Sequence, residues 1–176
     1  MADRLYVDET KAKGYVLVAG IVLPADSTAI RKEMRKLVAP GQSRVHMKHE
    51  KVPRQHLIVA KLVALDLRVV IYEADRRVHG TDIACRKACL EQLVAEHATT
   101  CESVVFDSDP SQDGRDRQIL VEQTRRHGCR DTMSYEHSKA TVEPLLAIPD
   151  VVAWSWARDG DWRRRIRPIV ERVVQV

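Results

Sequence analysis

Arg4-Leu5-Tyr6-Val7-Asp8-Glu9 and, just beyond it, Tyr15-Val16-Leu17-Val18-Ala19-Gly20-Ile21-Val22-Leu23 are the two segments from which the architecture can be built. The first is a short β-prone run. The second is a continuous Val/Leu/Ile stretch broken only by small residues, and Lys11 to Gly14 between them is short enough for a hairpin, so the pair is expected to be antiparallel. Asp26 or Ser27 then caps a helix whose Ile30, Met34, Leu37 and Val38 follow helical spacing, ended by Pro40-Gly41. Val45 to Lys48 suits a short third strand. Pro53 opens a helix to about Leu65, apolar on most faces and so expected to be covered on both sides. Leu67 to Ala74 reads as a strand. Thr81 or Asp82 starts a helix with Ile83, Leu90, Leu93, Val94 and His97 near one side, and Glu102 to Asp107 is a strand again. A polar loop through Asp113 leads to a helix from Gln118 to His127, stopped by Gly128. Thr132 to Glu136 suits an edge strand, and Leu145 to Arg158 a helix carrying Trp154 and Trp156. From Asp161 the tail reads as helical, with apolar Ile166, Ile169, Val170, Val173 and Val174. Hairpin strands first, then strands alternating with helices, predict an α/β fold with a mixed sheet flanked by helices on both faces.

The length of 176 residues argues for a single domain over 1–176, with a basic helical segment at about 159–176. A hydrophobic content of 44% against 31% charged residues is that of a globular chain, and 29 basic against 25 acidic residues leave a net charge of only +4. With three Trp, four Tyr and one Phe, binding of nucleic acid by rows of stacking aromatics is not expected. The longest uncharged apolar run, Gly14 to Ala25, is well short of the ~20 residues that cross a bilayer. Met1-Ala2-Asp3-Arg4-Leu5 lacks a signal-peptide pattern, so a cytoplasmic protein is expected. Cys85, Cys89, Cys101 and Cys129 are then expected to be free thiols, with Cys85 and Cys89 one helical turn apart as small core residues. A zinc site from His46, His49 and a cysteine lacks a complete ligand set.

Three acids stand in apolar frames. Asp8 lies late in the first strand, Asp107 ends Val104-Val105-Phe106-Asp107, and Asp150 is embedded in the most hydrophobic helix. A carboxylate so placed is costly to desolvate unless it is paired, hydrogen-bonded or bound to a cation. If the strand ends neighbour one another, the three can converge on a divalent ion, and oxygen-only ligands favour Mg²⁺ or Mn²⁺ over zinc. Such ions activate water and stabilise developing charge in phosphodiester hydrolysis. Glu9, Glu50, Glu73, Asp75 and Asp109 are further acids within reach. Asp107 and Asp109 in Asp-Ser-Asp-Pro also suit an Asx turn, and Asp150 after Pro149 also suits a first-turn helix acid.

Tyr6-Val7-Asp8-Glu9-Thr10, followed by a hydrophobic strand, resembles the opening Asp-Glu-Ser signature of the domain-of-unknown-function 3800 family. Val45-His46-Met47-Lys48-His49-Glu50 is similar to that family's internal His/Lys/Glu segment. Val104 to Asp107 matches its strand ending in Asp, and His137-Ser138 with Leu145 to Ala153 matches its closing pattern. The resemblance covers most of the chain in the right order. It implies a ribonuclease-H-like fold and a metal-dependent nuclease, with Asp8, Asp107 and Asp150 as catalytic metal ligands and Glu50 as a further ligand. The chain departs from the pattern at Thr10 in the Ser position, Ala147 in place of Gln and Pro149 before the acid. Pro149 bears on where the helix starts and where Asp150 aims.

Lys48 and Lys139 are the candidates for contact with a scissile phosphate. Arg163, Arg164 and Arg165 crowd the C-terminal segment, where they suit either nucleic-acid phosphates or a solvated, ion-paired helix face. The expectation is thus a Mg²⁺- or Mn²⁺-dependent hydrolase of RNA or DNA. The alternatives are an inactive nucleic-acid- or protein-binding module on the same fold, or a homo-oligomer joined through the Trp154/Trp156 helix or the tail.

Overall fold

The computed structural model describes residues 2–176. Strand β1 (Asp3–Thr10) turns at Lys11–Gly14 into β2 (Tyr15–Val22) and pairs with it antiparallel, Tyr6 opposite Gly20. Gly14 takes φ +90°, the left-handed conformation that a tight turn asks of glycine. Helix α1 (Ser27–Lys36) follows, then α2 (Val52–Val63), β3 (Arg68–Ala74), the single turn α3 (Arg76–His79), α4 (Asp82–His97), β4 (Cys101–Asp107), α5 (Asp113–Arg126) and β5 (Ser134–Ser138). The chain closes with α6 (Ala147–Arg158), α7 (Gly160–Ile166) and β6 (Val170–Gln175).

The six strands form one mixed sheet in the order β5-β4-β1-β2-β3-β6. The antiparallel meander β1-β2-β3 lies at its centre, with β4 parallel to β1, β5 parallel to β4 and β6 parallel to β3. The architecture is the expected α/β sheet with helices on both faces, and its first five strands have the ribonuclease-H-like order.

Alternation along the strands divides the core. Tyr6, Val16, Val18, Ile71 and Val105 face α1, α2, α6 and α7. Leu5, Val7, Leu17, Ala19, Tyr72 and Phe106 face α4 and α5. All eight residues of β2 are buried, as its unbroken apolar run requires. Helix α6 lies so close over the sheet that a Cβ at Gly20 would stand 2.9 Å from Ile148 Cγ2.

Four expectations need correction. Val45–Lys48 is not a strand: the segment turns through a single 3₁₀ turn at Met47–His49, with Met47 in the core. Helix α2 is covered on one side only, for Val52 and Leu57 are 58% and 46% exposed. Helix α5 begins five residues early, at Asp113 rather than Gln118. The tail is helical only as far as Ile169, and its last apolar residues form β6 on the sheet edge. On the helix carrying Trp154 and Trp156, Trp156 is buried and donates from Nε1 to Glu73 at 2.7 Å.

Candidate functional site

The register of the sheet brings two of the predicted acids together. Val7 pairs with Phe106 in the parallel β1–β4 ladder, so Asp8 and Asp107 are the next residues on neighbouring strands. Each is two residues beyond a side chain of the α6-face core, Tyr6 and Val105, and therefore points to that same face. The first turn of α6 delivers Asp150 there.

Burial holds the Asp8 carboxyl well above the usual carboxylate range, and the charges of Glu9, Asp150 and Asp107 push it further. Burial also raises Asp107, against the pull of Arg44, whose guanidinium is 3.7 Å away, and of the Ala140 amide. The three acids share one electrostatic neighbourhood.

Backbone amides orient them. Glu9 N–H donates to Asp8 Oδ1 at 2.7 Å, and Met47 N–H donates to Asp150 Oδ2 at 3.1 Å. His46 Nδ1 is 3.3 Å from the other Asp150 oxygen. The 3₁₀ turn that replaces the expected strand is therefore what holds Asp150 in place. One Glu50 oxygen accepts from Arg54 at 3.0 Å, and the other is buried without a partner.

Behind the sheet lies a second polar cluster that sequence reasoning missed. Glu9, next to Asp8, points to the α4–α5 face, where Arg86 meets it at 2.8 Å. Arg86 also grips Asp116 with two parallel bonds of 2.7 and 2.8 Å and donates to the Tyr15 hydroxyl at 3.1 Å. His137 Nε2 stands 3.0 Å from Asp116 and 3.7 Å from Asp113. Asp113, Asp116 and His137 bring ligand atoms within 4.8 Å of one another, so by distance they can hold a metal ion; among the described residues no other set of acids, histidines or cysteines does. The oxygens of Asp8, Asp107 and Asp150 are thus more widely spread.

Within the second cluster Asp116 is already paired, however. Burial alone would raise Asp116, but the Arg86 guanidinium and His137 hold it below the usual range. Asp113 accepts from the Ser108 hydroxyl and the Asp109 amide, which occupies both its oxygens. Arg86 between Cys85 and Cys89 on a helix face, with acids three apart at Asp113 and Asp116, was the signal available in the sequence.

Other candidates resolve into structure. Asp109 is a turn acid, held at about 2 by the Ser111 hydroxyl and Gln112. Asp75 caps α3. Cys85, Cys89, Cys101 and Cys129 are buried free thiols, and burial pushes Cys89 up to about 12. His46 and His49 meet edge to face at 4.4 Å, with no cysteine in a shared ligand set.

Lys48 and Lys139 are exposed. Arg163 is turned inward onto the Trp156 carbonyl and ring, while Arg164 and Arg165 share Asp161. These three arginines form mostly an ion-paired face, as charge runs on helices commonly do.

Comparison with protein-family models and with curated proteins finds no match. No helix among the described residues is long and apolar enough to cross a membrane.

Proposed function

We propose that the chain is a metal-dependent nuclease that hydrolyses phosphodiester bonds of RNA or DNA, with Mg²⁺ or Mn²⁺ held by Asp8, Asp107 and Asp150. The observation that carries this reading is the meeting of three chain-distant acids on one face, close enough for Asp107 and Asp150 both to raise the Asp8 carboxyl. Carboxylates desolvated together need a proton or a cation to offset their charge. The all-oxygen donor set fits hard divalent ions, which serve such reactions singly or in pairs. When bound, such ions supply charge neutralisation at the phosphodiester and a lower pKa for the attacking water.

The chain's own residues set the geometry. The Glu9 and Met47 amides fix Asp8 and Asp150, while Arg44 stands at the rim beside Asp107. Lys48 and Lys139 are the exposed cations next in sequence to Met47 and Ala140, which contact the acids, and they take the phosphate-contact role. The order of the motifs is the ground for the resemblance to the domain-of-unknown-function 3800 family, and the order of the first five strands is compatible with the fold which that resemblance implies.

Cleavage of mixed single- and double-stranded substrates tests the reading. It should require Mg²⁺ or Mn²⁺, stop in chelator, and fall by about 100-fold or more in Asp8→Asn, at or above the loss from disturbing a metal ligand's outer partners. Unchanged cleavage in Asp8→Asn overturns the assignment. Calorimetric titration with Mn²⁺ separates the two clusters: saturable uptake should vanish in Asp8→Asn and persist in Asp113→Asn. The reverse would move the metal behind the sheet.

A further inference from the structure

Helix α6 presents Asp150, Trp154 and Arg158 at intervals of four residues, one stripe along its surface. The stripe runs from the carboxylates to a groove of about 600 Å³ lined by Thr10, Lys13, Lys48, Trp154, Ala157 and Arg158. Thr10 is two residues beyond Asp8 on β1, and Lys48 follows the residue whose amide holds Asp150. The groove and two of the three carboxylates, Asp8 and Asp150, are therefore built from the same pieces of chain.

The groove's chemistry is specific. Lys11 at the hairpin is paired with Glu9, and Arg163, Arg164 and Arg165 are paired with Asp159 and Asp161. Lys13, Lys48 and Arg158, by contrast, have no carboxylate within ion-pair distance among the described residues, and all three are exposed. Arg158 lies over the Trp154 ring at 4.4 Å, and the ring is braced edge-on by Trp162 at 4.8 Å, which in turn stacks on His56. Two of the chain's three tryptophans are spent on this one half-buried platform. The composition argues against a row of stacking aromatics, and a single braced indole among three unpaired cations is what the groove offers instead.

We propose that this groove binds an unpaired nucleic-acid strand, one base taking the place of the Arg158 guanidinium on the Trp154 ring while that guanidinium turns to a flanking phosphate beside Lys13 and Lys48, and leads it to the carboxylates. The inference rests on the nuclease reading and deepens it by naming the strand state of the substrate. A base in a duplex is already stacked on its neighbours and cannot lie on the indole, whereas phosphates alone would not call for one.

The test is binding in EDTA, where no metal-dependent cleavage interferes. Fluorescein-labelled dT10 should bind with quenching of tryptophan fluorescence, and a 10-base-pair duplex should bind at least ~10-fold more weakly. Trp154→Ala should weaken dT10 binding by ~10-fold, as loss of one stacked base does. Lys13→Gln and Lys48→Gln, both at exposed positions, should each reduce the slope of log K against log salt by about 0.7. Equal affinity for duplex, equal competition by a heparin fragment, or lysine variants that keep the parent slope would each overturn the groove. If the parent protein cleaves in an Asp8-dependent way while groove variants bind dT10 unchanged, the groove assignment falls and the nuclease reading stands. If binding follows the groove but no metal supports cleavage, the nuclease reading falls instead.

Discussion

Asp8 holds a proton more firmly in the fold than in the unfolded chain, because burial and three neighbouring carboxylates penalise its charge. Between the ordinary carboxylate range and that raised value the folded state binds the extra proton. The contribution of Asp8 to stability is therefore best below the unfolded pKa and falls as pH rises through this window. In chelator at pH 8, Asp8→Asn should thus raise the melting temperature, by ~3 °C or more for each ~1 kcal/mol of relieved repulsion. The gain should shrink as the pH is lowered, since the parent side chain then becomes neutral too. Calorimetry at several pH values checks this, and a variant no more stable than its parent at pH 8 would contradict the crowding of the acids. The three acids were legible in the sequence because each stands in an apolar frame, Asp8 most plainly because an acid late in a strand has no capping duty. Arg44 and His46 were not, since a charge in a polar loop gives no sign of which distant carboxylate it will face.

At the scale of elements, the aim of Asp150 depends on how closely α6 approaches the sheet. Gly20 permits that approach, with Ile148 filling the space its missing side chain leaves. Gly20→Ala should destabilise the fold by ~1–3 kcal/mol through overpacking. Ile148→Ala in the same chain removes the clashing methyl, so urea unfolding of the double-mutant cycle should show a favourable coupling of about 1 kcal/mol or more. Additive losses would mean that the helix does not rest on Gly20. The hairpin, β3, β4 and α4 follow from local pattern, and each was readable. The Met47–His49 turn was not, because Val45 and Met47 are buried by tertiary contacts with α6 and the helices beside it rather than by strand pairing. The tail misled for a related reason: Ile166, Ile169, Val170 and Val173 fit helical spacing, yet the last two meet a vacant edge of β3.

For the molecule as a whole, β6 closes that edge. Beyond the ladder, the Val176 amide bonds to Glu73 at 3.0 Å and Gln175 reaches the same residue. Ending the chain at Ile169 would leave the apolar β3 ladder unpaired, an invitation to association between molecules. Loss of buried Val170 alone is worth ~1.5–3 kcal/mol, so the shortened protein should melt ~6 °C lower or more and aggregate on heating. Light scattering during a thermal ramp decides it, and a monodisperse protein with the parent melting point would show β6 to be dispensable. One property of β1 reaches across the sheet. Because Asp8 and Glu9 serve opposite faces, lengthening or shortening the strand by one residue ahead of them would hand each acid to the other's neighbours, stranding Arg86 and emptying the α6 face at a single stroke. Only changes of even length preserve the assignment, so a library of length variants in this strand should yield folded proteins by parity.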